Sequence, residues 1–277
     1  MPEIGQRIGP YVLEEWISSD PETSLYRAVG PEGGRLPKYA AVRLPNIAQD
    51  ERSIRLVAHE HHCRSLFQSE YLPEVLAYYP EQGALVTEWL NGKLLSHTIA
   101  ARNRGELELS PATAMTIAVE VAVAMRKMHL HKVGRHPLVY GRLNPDHLII
   151  DGYGDVYLLG LGRDPFRNQP AFSPPEQSSN AFVDWRSDQW AIGALLVELL
   201  LHEPLYSNTE DPVKASMRGE TLHWIKQIDQ RWHKAGAVLA RILAPAAGNR
   251  YQKEEVFIRD LIELAESAEG DDGIEGI

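Results

Sequence analysis

The decisive stretch runs Leu143-Asn144-Pro145-Asp146-His147-Leu148-Ile149-Ile150, followed by Asp155-Val156-Tyr157-Leu158-Leu159-Gly160-Leu161-Gly162. Leu148 to Ile150 and Val156 to Leu159 are short runs of β-forming apolar residues. The glycine-containing turn Asp151 to Gly154 lies between them, so the segment reads as a β-hairpin. Helical sequence flanks it. Upstream, Ser110 is an N-cap with Pro111 at the first helical position, and the run to His129 places Ile117, Val121, Met125 and Met128 on one face. Downstream, Ser187 is read as the cap of an apolar helix reaching Leu201, and Ala237 to Leu243 and Glu254 to Leu264 give further amphipathic helices.

Nearer the N-terminus the pattern changes. From Tyr11 to about Leu90, short β-rich runs such as Tyr39 to Leu44 and Ala84 to Leu90 alternate with Gly/Pro loops around one helical stretch, Ser53 to Phe67. A small sheet with one helix, followed by a helical part, predicts an α+β chain of two lobes. With 277 residues, 44% of them hydrophobic, the chain can bury a large core. The tail from Glu266, rich in Asp, Glu and Gly, reads as flexible.

The net charge of −10 opposes polyanionic partners, so no nucleic acid is expected. Cys63, the single cysteine, cannot form an internal disulfide or a cysteine-based zinc site, which favours a reducing compartment. The N-terminus lacks a basic region followed by an apolar core, and the longest apolar run, Trp190 to Leu201, is broken by Gly193 and Glu198. A cytoplasmic protein without a membrane span is expected.

The Leu143–Gly162 stretch resembles the catalytic loop and metal-binding strand of Hanks-type serine/threonine protein kinases. Further segments resemble the same family in the same order. Tyr11 to Ala28 has the frame of the glycine-rich hairpin, Ala40-Ala41-Val42-Arg43 stands where kinases have Val-Ala-Ile-Lys, and Glu60 stands where the regulatory helix offers its glutamate. Phe172-Ser173-Pro174-Pro175-Glu176-Gln177 resembles the Ala-Pro-Glu segment, Asp188-Gln189-Trp190 the Asp-x-Trp of the central helix, and Asn249-Arg250-Tyr251 the late arginine motif. The resemblance covers residues 8–265 and is nearest to bacterial members. It implies a bilobal protein-kinase-like fold, with a small β-rich N-lobe over about 8–88, a larger mainly helical C-lobe over about 91–265, and 266–277 as the tail.

The same alignment of motifs implies that the usual chemistry is degraded. The three loop glycines are Ser18, Asp20 and Thr23; Pro21 stiffens the turn, and Asp20 and Glu22 bring negative charge where phosphates would lie. The strand lysine is Arg43, expected to pair with Glu60. The His-Arg-Asp triplet is Tyr140-Gly141-Arg142, and a guanidinium cannot act as a general base at neutral pH. The two magnesium ligands are replaced by His147 and Gly160, which are poor partners for a hard oxygen-seeking cation.

Ala41, Thr87, Glu88 and Leu90 would line a vestigial adenine pocket. Asp146, Asp151, Asp155 and Asp164 read as surface or turn-capping residues rather than as a relocated acid. The short segment Arg163 to Ser173, with Gly141 in place of the phosphate-receiving arginine, implies no activation-loop switch. Glu176 is expected to pair with Arg250, and Asp188 to hold the backbone of the former catalytic loop. His59 and His62 share a helical face but lack a third ligand, and Cys63 reads as a small packed residue.

The expectation is therefore a pseudokinase and not an enzyme, with no cofactor, no metal and no bound nucleotide, serving as an interaction, scaffolding or regulatory module for a protein partner. Two alternatives stand beside it. One is a metal-independent nucleotide sensor, with adenine beneath Thr87 and the Glu88-Trp89-Leu90 hinge. The other is an atypical phosphotransferase or nucleotidyl transferase, which requires an acid the sequence does not display.

Overall fold

The computed structural model describes residues 2–31, 33, 37–48, 50–133, 136–162 and 168–271. The chain divides into two compact units, Met1–Gly92 with Tyr157–Arg163, and Lys93–Val156 with Asp164–Ile277.

The first unit is built on a sheet whose strands are β1 (Arg7–Ile8), β2 (Tyr11–Ser19), β3 (Thr23–Val29), β4 (Tyr39–Pro45), β5 (Val75–Tyr79) and β6 (Ala84–Glu88), in the order β1-β2-β3-β4-β6-β5 with antiparallel neighbours. The two-residue alternation of strands sends Tyr26, Ala28, Ala40, Val42 and Leu44 into one core with Ile8, Tyr11 and Leu13. It therefore sends Ala41 and Arg43 to the opposite face, where the register sets Arg43 beside Leu25 and Leu85. Helix α1 (Glu51–Leu66) is capped by Asp50, whose side chain accepts the Ser53 N–H at 3.0 Å. Its buried stripe is Ser53, Val57, Glu60 and Arg64, which leaves a carboxylate and a guanidinium facing inward.

The sheet's outer strands are tied together. Gly9, at φ +53°, lets the backbone meet the Tyr79 ring so closely that a Cβ there would lie 2.2 Å from it, and Gln82 Nε2 donates to the Arg7 carbonyl at 3.2 Å.

β7 (Gly92–Leu94) leads into the second unit, which contains α2 (Leu95–Asn103), α3 (Pro111–Leu130), β8 (Lys132–Val133), β9 (His136–Pro137) and β10 (Leu148–Asp151). The chain passes back to the first unit along β11 (Val156–Leu158). After it follow α4 (Pro175–Ser178), α5 (Trp185–Leu201), α6 (Pro212–Arg218), α7 (Leu222–Arg231), α8 (His233–Ile242) and α9 (Glu254–Asp271). In α3, Ser110 accepts the Thr113 N–H at 3.1 Å, and Ile117, Val121, Met125 and Met128 are all buried. Helix α5 is buried almost all round, which is why its sequence is apolar without amphipathic pattern. Against it pack α3, α7 and α8.

Two expectations need correction. Asp184, not Ser187, is the N-cap of α5; Ser187 stands at the third helical position and returns the bond, its hydroxyl accepting the Asp184 N–H at 3.3 Å. Helix α9 does not stop near Leu264 but runs to Asp271, because Leu261, Leu264 and Ala268 continue its buried stripe; the remainder of the acidic tail, 272–277, lies outside the described residues. Among the described residues, no helix is long and apolar enough to cross a membrane.

Candidate functional site

In the first unit, the Gly-loop and lysine positions form one hydrogen-bonded group. Asp20 Oδ1 accepts the backbone N–H groups of Glu22 at 2.9 Å and Thr23 at 2.7 Å, while Asp20 Oδ2 accepts the Thr23 hydroxyl at 3.0 Å. The fully buried Thr23 in turn accepts from Arg43 Nη1 at 3.3 Å, and Arg43 Nε stands 3.3 Å from Glu60. The structure thus joins Asp20, Thr23, Arg43 and Glu60 in a chain from the β2–β3 turn to α1. Asn46 braces the turn from behind, donating to the Asp20 carbonyl at 2.7 Å through its side chain and to the Glu22 carbonyl at 2.9 Å through its backbone. Glu22 lies 3.6 Å from Arg52.

Ser18 is exposed, Ala41 and Thr87 face one another across β4 and β6 half-buried, and Leu90 is buried. The Glu88 carboxylate accepts the Glu74 N–H at 3.2 Å. Gly160, buried and at φ +74°, leads to Gly162, which packs against Cys63 and Glu60 of α1. Cys63 is half-buried with its Sγ 3.6 Å from His59 Nε2, and burial, reinforced by the Glu60 charge, raises its thiol pKa, so it remains a thiol at neutral pH. His61 stacks on Tyr78 at 4.3 Å.

In the second unit, Asp188 organises the former catalytic loop. Its Oδ2 accepts the Tyr140 N–H at 2.9 Å and its Oδ1 the Gly141 N–H at 2.7 Å, while Gln177 Nε2 donates to the Gly141 carbonyl at 2.7 Å. His129 stands between Asp188 and Glu254, at 2.8 Å and 2.5 Å. Burial lowers its pKa, but hydrogen bonds to the two carboxylates outweigh that and raise it to about 9, so the imidazole is charged. The sequence singled out Asp188 and missed His129, whose partner Glu254 is 125 residues away.

Glu176 and Arg250 form a bidentate pair at 2.6 and 2.8 Å. The guanidinium also donates to the carbonyls of Ala244, Arg186 and Pro245, which occupies all five of its N–H groups.

His147 Nδ1 donates to the Arg142 carbonyl at 2.8 Å, so this imidazole is engaged inside its own loop. Neither His147 nor Gly160 fits the oxygen-donor role that magnesium requires at these positions, and among the described residues no three His, Cys, Asp or Glu side chains converge to hold a metal. Asp146 is exposed and accepts from Gln169 at 2.9 Å. Asp151 accepts the N–H groups of Tyr153 at 2.8 Å and Asp155 at 3.0 Å, which makes it a turn residue. Asp164, with most of the segment before Asn168, lies outside the described residues.

No family model matches the chain. Its curated relatives include the serine/threonine-protein kinase Nek2 of Homo sapiens, 25% identical over 134 residues, which is 44% of this chain and 30% of Nek2. The DNA damage-responsive serine/threonine-protein kinase RqkA of Deinococcus radiodurans is 27% identical over 176 residues, 51% of this chain and 26% of that protein. The match therefore spans less than a third of either relative's length. Among solved structures, the PknI kinase domain of Mycobacterium tuberculosis, crystallised as a mutant, superposes with a TM-score of 0.70 at 20% identity, covering 96% of this chain and 99% of that domain. The fold is thereby α+β, bilobal and protein-kinase-like.

These relatives correct one expectation. The chain was expected, on its replaced residues, not to be an enzyme; proteins of similar sequence that are named serine/threonine kinases point instead to an enzyme. The replaced positions, Arg43, Arg142, His147 and Gly160 among them, stand as read from the sequence; what overturns the expectation is the similarity to named kinases. By fold and by sequence, the chain is protein-kinase-like.

Proposed function

We propose that this chain is a kinase-fold signalling domain, nearest to bacterial members and cytoplasmic, that binds a protein partner and transfers phosphoryl groups only slowly. The observation that carries the reading is the conjunction of serine/threonine kinase relatives with Arg142 at the general-base position. A positioned base contributes about 10²–10⁴-fold to such a reaction, so its replacement slows transfer without removing the positioning that the fold supplies. The preserved architecture supports the interaction role: Asp188 still ties down the 140–141 backbone, and the Glu176–Arg250 pair still locks the helical unit.

The test is transfer of label from ATP to the chain itself and to a mixed peptide library, with Mg²⁺, with Mn²⁺ and with chelator, set beside an Arg43→Ala control and cross-linking to partners in solution. Kinases ordinarily turn over at about 1–100 s⁻¹. Transfer at least a hundredfold slower, lost in the control, together with a saturable complex with one protein, is the expected result. Ordinary turnover overturns the slowed reading, and absence of Arg43-dependent transfer overturns the enzymatic one.

A further inference from the structure

In this fold the β2–β3 turn is where a polyphosphate would be cradled, and here the cradle's donors are already in use. A turn whose backbone N–H groups point inward is an anion-binding concavity, and its natural occupant is a compact group bearing negative charge. Two such N–H groups, those of Glu22 and Thr23, converge on Asp20 Oδ1, and the Thr23 hydroxyl is directed at Asp20 Oδ2. An aspartate closing its own turn is ordinary. What sets this turn apart is the cation behind it. Arg43 Nη1 donates to the same Thr23 hydroxyl, and Arg43 is itself tethered to the buried Glu60. The turn is also rigid from the rear, since Asn46 holds the carbonyls of Asp20 and Glu22 while its own side-chain oxygen accepts the buried Ser24 hydroxyl at 2.5 Å.

We propose that the Asp20 carboxylate is a built-in anion that autoinhibits a phosphate site formed by the N–H groups of Glu22 and Thr23, the Thr23 hydroxyl and the Arg43 guanidinium. Two oxygens of a carboxylate satisfy three donors here, as two oxygens of a phosphate would. Removal of the carboxylate takes away the acceptor that those three donors share and removes one negative charge, both of which favour an incoming phosphate. The inference deepens the slow-transfer reading by naming a regulation of that site. It is tested by binding alone, so it can fail while transfer is observed, or hold while transfer is not.

The experiment is calorimetric titration of the full chain with inorganic pyrophosphate, without metal, at fixed ionic strength. Four forms are compared: the unaltered chain, Asp20→Ala, Asp20→Asn, and Asp20→Ala combined with Arg43→Ala. Asp20→Ala is expected to bind at least tenfold more tightly than the unaltered chain. Asp20→Asn, which keeps an acceptor for the turn, is expected to gain less, and the double variant to lose the gain. Equal affinity of Asp20→Ala and the unaltered chain, with melting temperatures that show both folded, overturns the proposal. So does a gain that survives removal of Arg43. Should Asp20→Ala fail to fold, Asp20→Ser takes its place, since a serine hydroxyl can still accept from the turn while clearing charge and volume; no tenfold gain in that variant overturns the proposal equally.

Discussion

His129 donates to Asp188 across 2.8 Å in the interior of the helical unit, and the same carboxylate accepts the backbone N–H groups of Tyr140 and Gly141. Asp188 is 1% exposed, so its charge needs compensation within the protein, and a protonated His129 flanked by Glu254 supplies it. The carboxylate that holds the 140–141 backbone is thus balanced by a proton on His129.

A pH dependence of stability follows. The pKa of His129 rises from 6.5 to about 9 on folding, so its stabilising contribution is complete below pH 6.5 and is lost as pH climbs through about 9. The difference between those pKa values corresponds to about 3 kcal/mol. Thermal melts from pH 6 to 10 on the unaltered chain and on His129→Gln are expected to show the variant less stable at pH 6.5, with the gap closing by pH 10. A constant gap across that range would mean that His129 acts by packing alone.

Arg250 makes the second buried charge system of this unit, and its five N–H groups are divided between one carboxylate and three carbonyls. The guanidinium also lies 5.1 Å from the Trp190 ring centre. A lysine ammonium has three donors and no planar fork, so Arg250→Lys leaves acceptors unmet. Denaturant unfolding is expected to show a loss of about 2–4 kcal/mol for Arg250→Lys, and about 3–5 kcal/mol for Glu176→Ala, which strands the buried cation. A loss under 1 kcal/mol for both would count against a structural role for the pair.

How much of this was legible in the sequence depended on the range of the interaction. The α3 cap at Ser110, its Pro111 and its buried face were readable because all three signals lie within one helix. The order of elements was readable because each motif names a local backbone shape. Helices α2, α6 and α7 are absent from the elements read from the sequence, although Asp211 as N-cap, Pro212 at the first position and Gly219 at φ +62° mark α6 plainly. The α7 face of Trp224, Ile225 and Ile228 was equally present in the pattern. The Thr23–Arg43 and His129–Glu254 contacts were not readable. Each joins residues brought together only by strand register or helix packing, and nothing in composition or spacing encodes them. From sequence Asp20 is legible only as a charge, because its engagement by Glu22 and Thr23 depends on the turn's geometry.

Gly162 offers a test of the first unit's packing. Its φ of +87° is rarely adopted by residues with a side chain, and a Cβ there would lie 2.8 Å from Cys63 Cβ and Sγ. Neither atom belongs to a long flexible chain that can swing away, so α1 itself must give. Gly162→Ala is expected to cost about 1–3 kcal/mol and to raise the alkylation rate of Cys63 as α1 loosens. An unchanged melting temperature with unchanged Cys63 labelling would show that the segment has room to move.

Glu198 carries the opposite pH signature to a paired carboxylate. It lies in α5 with its Oε2 buried and without a hydrogen bond, while Arg102, 6% exposed, donates to the Leu199 carbonyl at 2.8 Å and the Glu198 carbonyl at 3.3 Å rather than to the carboxylate. Burial raises the Glu198 pKa, the Arg102 charge lowers it and the Asp146 charge raises it, with a net rise from 4.5 to about 7. Because the folded-state pKa is the higher one, the favourable contribution of the protonated form is complete below pH 4.5 and is lost as pH rises through about 7. At pH 8 the folded chain must therefore hold an ionised, desolvated carboxylate. Glu198→Gln removes that burden while keeping shape, so chemical denaturation at pH 8 is expected to find the variant more stable by about 1–3 kcal/mol, with the two forms equal near pH 4.5. A variant less stable at pH 8 would show instead that attraction between Glu198 and Arg102 outweighs the desolvation of the carboxylate, and that this pair helps hold α2 to α5.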